Sequence, residues 1–315
     1  MSAPTFWPLS HVPIDILALI VEKIDVRNLK KLFLTGDKSL YRQLTAHGVV
    51  QRLSFHFDAN CSVWPHWVSR LPGLREFHTH IPNKGKYITV SQVDLHNLPS
   101  SLRILVLCSA LRISRPQSPP LGNGPGQCFD FKQRLPNLEV LKIAPVPFVK
   151  DVDATELLDS LPASLKSLSL DHPWKIPLDM LHRLPSALTE LKTGIQPAVE
   201  SPFPSKIIAP VVRLHVALED VNTVEFLQQC LPDTLLHLTY TNSDDVDVEH
   251  MQSLPRQLLS ISIQQSKISS RQAMRPTEQM LRELPPTLTA LEGGVKLSPS
   301  VEGNLLTWEH IALLP

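Results

Sequence analysis

The ten residues Leu161–Leu170, LPASLKSLSL, decide how this chain folds. A Leu-Pro pair is followed by leucines in the spacing L-x-x-L-x-L, at Leu165, Leu168 and Leu170. The phrase returns as LPGLREFHT (71–79), LPSSLRILVL (98–107), LPNLEVLKI (135–143) and LPSALTELKT (184–193). It returns again as LPDTLLHLTY (231–240), LPRQLLSISI (254–263) and LPPTLTALEG (284–293). APVVRLHV (209–216) and VVQRLSFHF (49–57) are weaker copies without the Leu-Pro. Counted from Val50 by the first leucine-type position, the steps are 24, 28, 36, 27, 23, 23, 24, 23 and 30 residues.

A period in the twenties with L-x-x-L-x-L inside it is the signature of leucine-rich repeats. The last two leucines stand two apart, so on a strand they share a face while the residues between them point the other way. So short a strand cannot bury its apolar row alone, and the copies must stack as a parallel sheet. The segments before several Leu-Pro pairs read as short covering helices. Asp153–Leu161, Thr277–Leu284 and Thr307–Leu314 each begin with a capping residue type and space their apolar side chains at i, i+3 and i+4. Proline then ends the helix, because the residue before it is pushed out of the α region. The expected fold class is therefore α/β: a leucine-rich-repeat solenoid of about ten irregular repeats over residues 46–315. A Pro/Gly-rich insertion occupies residues 112–127. The common repeat puts Asn or Cys at its ninth position to bond the turn. Here stand Ala110, Val146, Pro173, Gln196, Ser243, Ser266 and Lys296, so there is no asparagine ladder and the turns after the strands are expected to be irregular.

Composition narrows the function. With 315 residues, 43% hydrophobic, a large core is within reach, and a repeat array can run as one domain. The 30 basic and 30 acidic residues cancel without a block of like charge, which argues against a phosphate-tracking nucleic-acid protein or an anionic-membrane binder. Cys61, Cys108, Cys128 and Cys230 are scattered, as reduced thiols of a cytoplasmic or nuclear protein would be. No secretory leader and no membrane-length apolar run is evident. The chain stops at Leu313-Leu314-Pro315, where another strand would begin, so a further or atypical repeat is expected there.

Residues 1–45 leave the repeat. Pro13 stands at a first helical position, and Ile16, Leu17, Ile20 and Ile24 form an apolar stripe at helical spacing. Asp25 can cap a second helix carrying Leu29, Leu32 and Phe33, and a third carries Leu40, Tyr41 and Leu44. Three short helices make either a cap for the array or a separate all-α docking module. The stretch Val12–Leu44 resembles an F-box: Val12-Pro13, Asp15-Ile16, Ile20, Ile24, Leu29 and Leu32 fall in the family's order. The family's small-basic pair and late Trp are replaced by Gly36-Asp37 and Leu40-Tyr41. An F-box followed by LPxSLxxLxL repeats is similar to F-box/leucine-rich-repeat proteins, of the kind common in fungi and amoebae. That resemblance implies a substrate receptor of an SCF (cullin–RING) ubiquitin ligase. Pro13, Ile16, Leu17, Ile20, Ile24, Leu29 and Leu32 would then contact the Skp-type adaptor, with proteasomal degradation of a bound target as the outcome.

Solenoids bind through the sheet face, here expected to be concave. The candidate target-binding residues are Arg52, His56, Glu76, His78, His80, Ile104, Val106, Lys142, Asp171, Glu190, Lys192, Arg213, His215 and His237. A His-rich polar end meets an apolar patch at Ile104, Val106 and Cys108, which is either a binding spot or the seat of the insertion that follows it. His56, His78 and His80 fall on one face, a donor set that zinc accepts. We read them as surface polar residues and expect no metal, cofactor or catalytic constellation, since H-E-x-x-H, G-x-S-x-G and Cys/His site spacings are missing. Ser243–Asp247 lacks the Gly and Glu of a calcium loop and reads as the capped start of a helix.

Overall fold

The computed structural model describes residues 13, 16, 20, 50–56, 68, 71–80, 98–107, 130–143, 152–171, 174–198, 206–218, 221–242, 247–265 and 278–293. The chain divides into two compact units. One is Met1–Val146 with Ser160–Leu165, the other Pro147–Asp159 with Lys166–Pro315.

In the first unit each leucine phrase becomes one strand: β1 (Arg52–His56), β2 (Glu76–His80), β3 (Ile104–Leu107) and β4 (Val140–Ile143). Neighbours pair in parallel, in a register that lines up equivalent repeat positions. Leu53, Phe77, Leu105 and Leu141 form one continuous buried row. Thr79, Leu107 and Ile143 form the next, where the Thr79 hydroxyl satisfies itself on the Val106 carbonyl at 3.3 Å. A four-residue helix α1 (Phe131–Arg134) precedes β4. The Asp130 carboxylate caps it by accepting from the Gln133 N–H, and Phe131 goes into the core.

The second unit repeats the scheme with β6 (Ser167–Leu170), β8 (Glu190–Gln196), β9 (Arg213–Leu218), β10 (His237–Asn242), β11 (Ser260–Gln265) and β12 (Ala290–Gly293), all parallel. Its central row is Leu168, Leu191, Leu214, Leu238, Ile261 and Leu291. The first five are buried, whereas Leu291, on the last described strand, is 38% exposed. Covering elements are α2 (Thr155–Ser160), a 3₁₀ turn at Leu178–Arg183, α3 (Thr223–Gln229), α4 (Val248–Gln252) and α5 (Glu278–Arg282). Each of α1 to α5 stops before a Leu-Pro pair, as the steric effect of proline requires.

Two strands were not anticipated. β5 (Val152–Asp153) takes Asp153, expected to start a helix, and that helix instead begins at Thr155 after the β5–β7 pairing. β7 (Trp174–Pro177) is buried along its whole length. It pairs with the far half of β8, Lys175 opposite Gly194, while β6 pairs with the near half. Gly194 is required at this crossing: a Cβ there would lie 2.9 Å from Lys175 Cγ and 3.1 Å from the Trp174 carbonyl oxygen. At the other expected helix start, Asp247 does cap α4. It accepts from the His250 N–H at 3.2 Å, and His250 Nδ1 lies 2.8 Å from the same carboxylate oxygen. An Nδ1–H tautomer donating there holds the Asp247 carboxyl below its ordinary range. Ser243–Asp245 and the helices expected at 25–44 and 307–314 lie outside the described residues, as does the insertion 112–127.

The Leu-Pro phrase is a turn as well as a helix stop. In the five-residue form the second leucine's N–H donates to the proline carbonyl, as Leu165 does to Pro162 and Leu235 to Pro232. In the four-residue form, LPGL and LPNL, it donates to the first leucine instead, Leu74 to Leu71 and Leu138 to Leu135. Both forms close a three-residue step and start the strand at the same point. There, one carbonyl accepts two N–H groups from the next repeat: Gln51 from Arg75 and Glu76, and Val212 from Leu236 and His237.

At most turns the residue before the turn-closing leucine ties its turn to the one before; Gly73 and Ala187 at this position have no polar side chain to do so. Ser101 donates to the Leu74 carbonyl at 2.8 Å, and Thr234 donates to Val211 at 3.0 Å. Ser164 lies 2.8 Å from both the Pro136 and Leu138 oxygens, and Thr287 lies 2.8 Å from both Arg256 and Leu258. At two further turns an amide serves: Asn137 to Ser100 at 3.3 Å and Gln257 to Asp233 at 2.9 Å. These rungs do the work that an asparagine ladder does elsewhere, at a different turn.

Two substitutions test this scheme by thermal or denaturant unfolding. Thr287→Val keeps shape but removes a rung, and is expected to cost about 1 kcal/mol. Gly194→Ala must push the Lys175 stem or the Trp174 backbone aside, and is expected to cost about 1–3 kcal/mol. Equal stability of Gly194→Ala and the native chain would refute the crossing.

Candidate protein-binding face

With leucines alternating inward, the intervening residues of each strand form the open face of the sheet. In the first unit the register sets Arg52, Glu76, Ile104 and Val140 in one row and Ser54, His78, Val106 and Lys142 in the next. Arg52 Nε lies 3.4 Å from Glu76, and His78 Nε2 lies 3.7 Å from the same carboxylate. Next to this charged end, Ile104, Val106 and Val140 are only half-buried, and Lys142 is exposed. Val140 thus extends the apolar patch read from Ile104 and Val106, because register places it opposite Ile104. His56 and His80 are register partners on β1 and β2, but their side chains lie outside the described residues. Cys108 lies outside them too.

In the second unit the rows are Ser167, Glu190, Arg213, His237, Ser260, and Ser169, Lys192, His215, Thr239, Ser262. Charges are paired across strands: Arg213 with Glu190 at 2.8 Å and Lys192 with Asp171 at 2.6 Å. His237 Nδ1 is 2.8 Å from the Ser260 hydroxyl. Exposed pairs of this kind contribute about 0–1 kcal/mol each, so they fix side-chain geometry more than they stabilise the fold. The face here is polar and hydroxyl-rich, in contrast to the aliphatic patch of the first unit.

Of the positions assigned to adaptor contact, Pro13, Ile16 and Ile20 are described. Ile16 and Ile20 are helical, Pro13 and Ile16 are exposed, and Ile20 is half-buried. Ile16 is 48% exposed, a large apolar side chain open to solvent over about half its surface. Leu17, Ile24, Leu29 and Leu32 lie outside the described residues. Among the described residues, no three His, Cys, Asp or Glu side chains come together where they could hold a metal ion, and no helix is long and apolar enough to cross a membrane.

His215 gives the second unit's face a pH response. Burial and the neighbouring Lys192 ammonium lower its pKa from 6.5, against a smaller upward pull from Asp171. The folded chain therefore binds this proton at lower pH than the unfolded chain does. The stability that follows is complete above the unfolded value and is lost as pH falls from 6.5 through the folded pKa. An NMR titration is expected to place the His215 midpoint below 6.5, with Lys192→Met raising it and Asp171→Asn lowering it further. A midpoint at or above 6.5 would contradict the burial described for the ring.

No family model and no curated protein matches this sequence. Among solved structures the chain is similar to CroV588, described as a novel circular leucine-rich-repeat protein. The TM-score is 0.40 at 16% identity, covering 78% of this chain and 34% of that one, so this chain spans about a third of that protein's length. The described residues themselves build a leucine-rich-repeat architecture in each unit: parallel strands in register, one per leucine phrase, with short helices between several of them.

Proposed function

We propose that this chain is a non-catalytic receptor that holds another protein on the open face of its repeats. The observation that carries the reading is the alternation within each strand of a leucine phrase. It commits one side chain in two to a leucine core and leaves the other free to vary in chemistry without cost to the fold. The aliphatic patch of Ile104, Val106 and Val140, rimmed by Arg52, Glu76, His78 and Lys142, has the composition of a binding hot spot with a polar border.

The finer reading is a substrate-recognition subunit of an SCF ubiquitin ligase, acting in the cytoplasm or nucleus. It docks to the Skp-type adaptor through the N-terminal helices and presents a target to the ligase core. The chain supplies proximity, while the ubiquitin-transfer chemistry belongs to the bound E2. Support comes from the F-box-like order of Val12–Leu44 ahead of the repeats, and from the exposure of Pro13 and Ile16 at positions where that resemblance puts adaptor contacts. The competing reading is a protein-interaction scaffold whose first helices only cap the array.

A pull-down of the full chain and of a Pro13→Ala/Ile16→Ala/Ile20→Ala variant against the Skp-type adaptor separates the two. The ligase reading expects capture that the triple variant abolishes while its unfolding midpoint stays put. No capture of the intact, folded chain would leave the scaffold reading. Removing residues 1–45 adds a second readout: a cap deletion lowers repeat stability, whereas loss of a separate docking module leaves it nearly unchanged.

A further inference from the structure

Several cations on this array are balanced by a carboxylate of a neighbouring repeat: Arg52 by Glu76, Arg183 by Asp159, Lys206 by Asp233 and Arg213 by Glu190. At the turn edge of the first unit two cations instead stand side by side. Arg75 and Arg103 occupy the same position in successive repeats, each just before its strand, and the Arg103 N–H donates to the Arg75 carbonyl at 2.7 Å. Like charges placed side by side across a ladder are unfavourable. Arg103 has Glu139 at 3.4 Å on its far side, but Arg75 meets no carboxylate among the described residues, its other lateral neighbour being Gln51. Both arginines line a recess of about 410 Å³, together with Gln51, Ser101, Asn137 and the Pro72-Gly73 turn, and no acidic residue lines it.

The ladder bonds hold the walls of this recess. Ser101 is tied to Leu74, and Asn137 gives one amide hydrogen to the Ser100 carbonyl and keeps a second. The volume exceeds what a bare tetrahedral anion fills, so there is room for part of whatever carries it. We propose that this recess binds a phosphomonoester dianion, with the Arg75 and Arg103 guanidiniums as its main ligands and the Gln51 and Asn137 amides as supporting donors. Guanidinium forks match phosphate oxygens in pairs, and a dianion between the two arginines cancels the repulsion that the fold leaves in place. The phosphoryl group comes either from a free small molecule or from a phosphorylated side chain of a protein. The site lies on the turn edge, away from the open face, and does not depend on how that face is used.

The test is calorimetric titration of the full chain with O-phosphoserine, with the peptide Ala-Ala-phosphoSer-Ala-Ala, and with the same peptide unphosphorylated. The expected result is saturable one-to-one binding of the phosphorylated probes alone. Arg75→Gln should weaken it at least about tenfold, Arg75→Lys less, and Ile104→Ser on the open face not at all. A peptide that binds more tightly than O-phosphoserine identifies a protein side chain as the source, and equal affinities identify a free small molecule. Absence of saturable binding, or binding that Arg75→Gln leaves unchanged, overturns the proposal. So does equal retention of a short RNA by the native and Arg75→Gln chains, which would mark a diffuse polyanion effect.

Discussion

Each repeat must place its leucines level with those of the next, because a four-residue strand has no other way to bury them. The in-register rows from Leu53 to Leu141 and from Leu168 to Ile261 are that constraint made visible. Two or three buried leucines per repeat, at ~1.5–3 kcal/mol each, outweigh a single hydroxyl rung at about 1 kcal/mol. The rows therefore supply the stability. The rungs and the shared carbonyls at the strand starts supply the register, since a slip of one residue would reverse every side chain. Proline serves both ends of the device: it stops the helix before the turn and contributes to the turn itself.

That arrangement leaves the other half of each strand free to carry function. Spacer lengths, helix lengths and the number of residues in the Leu-Pro turn all vary, yet the strands still meet at equivalent positions. Surface chemistry can then differ from repeat to repeat, aliphatic around Ile104 and Val106 and polar around Lys192 and His215, without disturbing the core. Lateral ion pairs such as Glu190–Arg213 organise this surface without contributing much to folding. Arg75 at the turn edge, beside Arg103 and with no carboxylate partner among the described residues, stands out against that background.

Much of this was legible in the sequence, because a period-two leucine pattern dictates which residues share a face and fixes the open-face rows one by one. Asp247 as a helix cap was legible for the same kind of reason, a local preference with a single geometric outcome. The rungs were visible only in outline. The Ser or Thr of LPxSL and LPxTL recurs in the sequence, but its partner is a carbonyl in the preceding repeat, which no local rule identifies. β7 escaped because Trp174–Pro177 has no alternation: buried on every side, it looks like a loop with an apolar run. Its need for Gly194 arises across a gap of about twenty residues, beyond the reach of any period. The apolar patch gained Val140 only when register placed it beside Ile104.

The central claim is that stability here is carried by lateral rows, so that a defect spreads to neighbouring strands and fades with distance. Hydrogen–deuterium exchange on the intact chain carrying Leu238→Ala tests it most directly. Truncation of a buried leucine costs about 2–5 kcal/mol. The account predicts strongly faster exchange in β10 and in its partners β9 and β11, with β6 much less affected. A uniform loss of protection across the second unit, or a loss confined to β10 alone, would contradict it.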